Sequence, residues 1–140
     1  MNRKKRKNFF TLLEMIVVIA IIALLAAVVT PMYMHFLEKA KVSTAKDQVS
    51  LLVQAVQDYQ IDTGNLPSSL QGLVTNVDNT PSWDGPYLNH DKLPNDPWGT
   101  PYVYEKPGYH GATFSIFSYG SAGPAGGQDG KTVLGSWMED

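Results

Sequence analysis

Residues 15–34 read MIVVIAIIALLAAVVTPMYM, twenty positions without a charge. At about 1.5 Å per residue a helix of this length measures roughly 30 Å, the thickness of a bilayer core. Beyond it the apolar positions thin out and take helical spacing. Val42, Ala45, Val49, Leu52, Val53, Val56 and Tyr59 recur at three and four residues, with Lys46, Asp47, Gln54, Gln57 and Asp58 between them. That pattern predicts one helix that leaves the apolar span and continues with a single face on a core. Pro31 withholds one helical hydrogen bond and predicts a kink or a locally melted turn. Asp62-Thr63-Gly64-Asn65 predicts the stop, with Gly64 as a left-handed cap.

After Leu66-Pro67 the pattern predicts a short helix through Gly72-Leu73-Val74, capped by Ser68. Residues 76–86 are rich in Asn, Asp, Pro and Gly and read as a loop. Two strands are expected at 102–104 and 113–118; Pro107-Gly108 and His110-Gly111 between them signal an antiparallel hairpin. A glycine-rich stretch over 120–130 precedes the closing Trp137. The fold class expected is α+β, a long N-terminal helix packed on a small antiparallel sheet. Its segments are a basic leader at 1–9, an apolar helix at 10–34, an amphipathic continuation at 35–64 and a small α+β region at 65–140.

Charge sharpens this picture. Residues 1–9 carry Arg3, Lys4, Lys5, Arg6 and Lys7 and no acid, whereas from Phe10 onward six Lys and Arg face thirteen Asp and Glu, a formal −7. Basic residues before an apolar span keep that end in the cytoplasm and send the rest across the membrane. The acidic remainder excludes nucleic acid as a partner, since phosphates demand Lys and Arg. A secretory signal peptide has the same basic-then-apolar order, but its apolar region is about 7–15 residues long and ends at a cleavage site. Here the helical pattern runs on, which fits an anchor. No cysteine is present, so disulfides and thiol chemistry are excluded. His35, His90 and His110 are scattered, and no zinc spacing, nucleophile elbow or phosphate loop occurs. The chain reads as a non-enzyme. Glu14 stands out, because a carboxylate at the mouth of a membrane helix is costly to insert.

The string Phe10-Thr11-Leu12-Leu13-Glu14-Met15-Ile16-Val17-Val18-Ile19 resembles the N-terminal signature of type IV pilins and type II secretion pseudopilins. The resemblance implies a leader cut by prepilin peptidase between Phe9 and Phe10, methylation of the new Phe10 amine, and a Glu at the fifth mature position, here Glu14. Pro31 falls where many members also carry proline. It further implies that Glu14 pairs with the Phe10 amine, its own or a neighbour's, during fibre assembly. In a low-dielectric core either charge left alone is strongly disfavoured, so the pair would set the register of a subunit. One departure is Phe9, where the family carries glycine. A ring there hinders close approach of the backbone to a protease. The expectation is either a peptidase that tolerates Phe9 or slow or absent processing.

Downstream, Leu66-Pro67, Gln71-Gly72-Leu73, Leu93-Pro94-Asn95-Asp96-Pro97-Trp98-Gly99, Tyr102-Val103-Tyr104, Phe117-Ser118-Tyr119-Gly120 and Gly135-Ser136-Trp137 occur in the order seen in major pseudopilins of type II secretion, the general secretion pathway protein G family. The Asp96-Pro97-Trp98-Gly99 stretch is expected to be a rigid turn whose Trp98 plugs the core. The resemblance implies calcium in the loop before the last Trp. Calcium takes six to eight oxygens, several from carboxylates, and Asp129 is the one acid between Tyr119 and Gly130. One carboxylate makes a weak site; packing of Tyr119, Pro124 and Trp137 is the alternative support for the loop.

The function implied is that of the major subunit of a pseudopilus, polymerising through its N-terminal helix to drive export across the outer membrane. Implied partners are further copies of itself, minor pseudopilins, prepilin peptidase, the inner-membrane assembly platform, and lipid before assembly. The implied location is the inner membrane, single-pass, with the N-terminus cytoplasmic and the C-terminal region periplasmic. Ala20, Ala23, Ala26 and Ala27 would let helices approach closely. Two alternatives stand beside this: a surface type IV pilin, and a single-span membrane protein with a ligand-binding domain, which would keep its leader and form no polymer.

Overall fold

A computed structural model of the chain describes residues 10–89, 92–126 and 133–137. Helix α1 runs over Leu12–Thr63, and a 3-10 turn follows at Leu70–Leu73. Strands β1 (Val103–Glu105), β2 (Ser115–Ser118) and β3 (Leu134–Gly135) form an antiparallel sheet in the order β1-β2-β3. A single α-helical turn, α2 at Gly123–Gly126, lies between β2 and β3. The chain divides into two compact units at Glu38 and Lys39.

In the first unit α1 is exposed along its whole apolar length; Ile19, Leu24 and Val28, for instance, are 65%, 71% and 72% accessible. It is the one helix among the described residues long and apolar enough to cross a membrane. The helix continues unbroken through Pro31, so the locally melted turn allowed by the sequence does not occur. Just before it, Thr30 donates its hydroxyl back to the Ala26 carbonyl at 2.7 Å, while Pro31 leaves the Ala27 carbonyl without its helical donor.

In the second unit α1 buries Ala45, Val49, Leu52, Ala55, Val56 and Tyr59, a stripe at helical spacing. Five of these were legible as the apolar face; Ala55 joins them, while Val42 and Val53 are only partly buried. The stripe packs on Leu70, Leu73, Tyr102 and Ile116, with Leu66, Trp83, Tyr87 and Phe114 around the edge. The helix ends where Gly64 turns to φ +75°, its N–H still donating to the Gln60 carbonyl at 2.8 Å.

All four residues of β2 are buried, as expected for a central strand covered on both faces. Ile116 faces the α1 core. Phe117 instead joins an aromatic cluster with Tyr109, Tyr119 and Trp137, at ring separations of 5.8, 5.4 and 5.7 Å. Strand β1 pairs with β2 through Val103↔Phe117 and Glu105↔Ser115, the hairpin foreseen. Strand β3 pairs through Phe117↔Gly135 and Ser118↔Leu134 and had no counterpart in the sequence reading.

Two local expectations are corrected. The short helix begins after Ser69, not Ser68, and has no side-chain cap. Ser68 is engaged elsewhere: its N–H donates to the Asp78 carboxylate at 3.0 Å, and the Tyr59 hydroxyl reaches the same oxygen at 3.1 Å. The hydrogen bonds from Ser68 hold the Asp78 carboxyl below its ordinary value, with smaller help from Tyr59 and Lys106. Second, Trp98 does not plug the core; it is only partly buried. The residue of that turn that goes inside is Asp96, 4% exposed. A charged carboxylate can sit there because backbone donors surround it.

Candidate assembly site

Thr11 stands just before the first residue of α1. Its hydroxyl accepts the Glu14 N–H at 3.2 Å, and its carbonyl accepts the Met15 N–H at the same distance. Thr11-Leu12-Leu13-Glu14 therefore has the geometry of a helix N-cap followed three residues later by Glu. The sequence signal of this cap is Thr-x-x-Glu, read at Thr11 and Glu14. Its position explains how a carboxylate is tolerated at the mouth of the apolar span. The first turn of a helix presents unpaired N–H groups and the positive end of the helix dipole, both of which favour an anion.

Phe10 lies one residue outside this cap and is 74% exposed. The structure thus places Phe10 and Glu14 about one turn apart at the same end of α1. Phe9, the other side of the expected cut, lies outside the described residues, as does Asp129. Pro31 is inside α1, and every residue from Phe10 to Leu37 is exposed. A continuous apolar surface of that extent is what a lipid or protein contact leaves behind when the partner is taken away.

At the far end of the chain a second arrangement ties the last loop down. The Asp96 carboxylate accepts the N–H of Trp98 at 3.1 Å and of Thr100 at 2.7 Å, and also the Ser118 hydroxyl. The Asn95↔Pro101 bridge closes the turn around it. Ser118 in turn accepts the Gly120 N–H at 2.9 Å. Both ends of the loop are fixed, since Ser118 also pairs with Leu134. Both oxygens of this carboxylate thus accept protein donors. Among the described residues no group of three His, Cys, Asp or Glu converges as a metal site would require. Asp129 is the single acid between Tyr119 and Trp137, and it lies with Gln128 in residues 127–132, outside the described residues.

The family description "Type II secretion system (T2SS), protein G" matches residues 32–137. The chain is 38% identical to the type II secretion system core protein G of Pseudomonas aeruginosa over 143 aligned positions, covering 96% of this chain and 98% of that one. It is 37% identical to the Escherichia coli K12 protein of the same description, with 96% of each covered. The fold is similar to the crystal structure of the major pseudopilin from the type 2 secretion system of enterohaemorrhagic E. coli, at a TM-score of 0.56 and 27% identity, over 74% of this chain and 92% of that one.

Proposed function

Because the chain belongs to the type II secretion system protein G family, we propose that it is the major subunit of a pseudopilus, a fibre built from many copies that drives protein export across the outer membrane. The observation that carries the reading is the exposed apolar length of α1 with Glu14 in its first turn. In the membrane that surface faces lipid. In the fibre it faces the same surface of other copies, and the small residues Ala20, Ala23, Ala26 and Ala27 admit close contact.

The residues take the following parts in this reading. Prepilin peptidase cuts between Phe9 and Phe10, and the new Phe10 amine is methylated. Its positive charge pairs with Glu14, which is already held in place at the first turn by Thr11. Before assembly the chain sits in the inner membrane with Arg3 to Lys7 in the cytoplasm and the second unit in the periplasm. Minor pseudopilins and the inner-membrane assembly platform are the further partners, and the energy comes from elsewhere in the machine. The two ends of the last loop are held by Asp96, Ser118 and the aromatic cluster, and calcium at Asp129 would add only a weak, one-carboxylate site.

Co-expression with the cognate peptidase and secretion machinery tests the reading. The expected product begins at N-methylated Phe10, and Glu14→Ala inserts in the membrane but enters no fibre. Normal fibre yield from Glu14→Ala would exclude the pairing. An intact Met1-to-Asp140 chain that never polymerises would favour the plain membrane-anchored protein.

A further inference from the structure

Charge in the second unit is segregated along α1. Residues 39–46 hold Lys39, Lys41 and Lys46 and no acid, whereas residues 47–140 hold three lysines against eleven Asp and Glu, a formal −8. Units with that excess repel one another, so packing copies side by side requires that the acidic part of each meet cations. The start of α1 in this unit is where the chain concentrates them.

Farther along the same helix lies a groove of about 330 Å³. Leu51, Ala55 and Asp58 of α1 form one wall, and Tyr87, Leu88 and Pro94 the other. Leu51 is 59% exposed, an apolar side chain on the outer face of the helix. Asp62, one turn beyond Asp58, accepts the Tyr87 hydroxyl at 2.9 Å, so the carboxylate in the lining has a second one beside the Tyr87 wall. A lysine side chain has the matching form, an apolar stem ending in a cation. Its stem fits against Leu51 and Leu88, and its ammonium fits beside Asp58.

We propose that this groove is the seat of a second copy of the chain, with Lys39 of one copy, supported by Lys41, entering the Asp58 groove of the next. The contact deepens the pseudopilus reading and rests on it. It sets a spacing: from Lys39 to Asp58 is roughly 28 Å along a helix rising about 1.5 Å per residue, so the joined copies are displaced by about that distance.

The chain contains no cysteine, so introduced thiols report on themselves alone. The full chain carrying both Lys39→Cys and Asp58→Cys is assembled with its secretion machinery and oxidised. A ladder of covalent oligomers beyond the dimer is expected from the double variant, while either single variant stops at the dimer. Lys39→Glu and Asp58→Lys should each lower fibre yield by about tenfold, and the two together should restore it. Fibres that form from the double-cysteine variant without a ladder would overturn the proposal. So would a Lys39→Glu chain that assembles normally but binds phosphatidylglycerol vesicles less, since the lysines would then serve lipid. A wild-type chain that forms no fibre at all would instead overturn the pseudopilin reading beneath it.

Discussion

Asp96 and Ser118, twenty-two residues apart, meet inside the second unit as a buried carboxylate and the hydroxyl that donates to it. Ser118 is the last residue of β2, and the turn around Asp96 precedes β1. The pair therefore joins a loop on one side of the hairpin to the start of the loop on the other. Replacing Asp96 by Ala strands three donors at once: the N–H groups of Trp98 and Thr100 and the Ser118 hydroxyl. We expect a loss of about 4 kcal/mol, because hydrogen bonds to charged groups are worth about 1.5–3 kcal/mol each and the Ser118 donor stays fully buried. Asp96→Asn should lose less, since its amide oxygen still accepts. Denaturant unfolding of the full chain in detergent would measure both.

Calcium should leave the protein unmoved. Melting temperatures taken with millimolar calcium and with excess chelator should agree within about 1 °C, since a loop with one carboxylate gives calcium little to bind. A rise with calcium would show that Asp129 and backbone carbonyls assemble a site despite the lone carboxylate.

Stability should fall on the alkaline side. Burial, and to a smaller degree the charges of Tyr59 and Asp78, push the Tyr104 hydroxyl up to about 12, and burial raises Tyr102 in the same direction. Folding favours the neutral phenols, so their contribution is complete below the ordinary tyrosine value near 10 and is lost as pH rises from there through about 12. Thermal melts at pH 8 to 12 should show that decline, and Tyr104→Phe should make it shallower at the cost of the bond from its hydroxyl to the Pro67 carbonyl.

Two glycines should respond differently to alanine. At Gly64, with φ +75° and open space around it, the cost is backbone strain alone, about 1 kcal/mol. At Gly108 a Cβ would lie 2.4 Å from the Phe114 backbone, which cannot move without disturbing the entry to β2. Gly108→Ala should cost several times more and lower expression of the folded chain, as compared by denaturant midpoints.

The helix and the hairpin were legible because they announce themselves in period. Twenty uncharged residues, a three-four spacing from Ala45 to Tyr59, and turn residues between two β-rich runs are all local signals. Strand β3 is two residues long and includes a glycine, so no pattern could mark it. In the Asp96-Pro97-Trp98 turn Trp98 was expected inside, and Asp96 goes in instead for a related reason: the donors that admit it come partly from Ser118, far along the chain. Ser68 was read as a cap by residue type, whereas Asp78 competes successfully for its N–H. At the candidate assembly site, the Thr11 cap on Glu14 is written in the sequence as Thr-x-x-Glu, a local signal like the others.

The pairing of Leu134 with Ser118 has a bearing on the order in which the chain is made. Synthesis begins at the N-terminus, so α1, β1 and β2 are made while one edge of β2 still lacks its neighbour. An open edge invites a strand from any passing chain. Leu134 and Gly135 are made after them and close it, so a product cut short before Leu134 would keep a sticky border that the longer one hides.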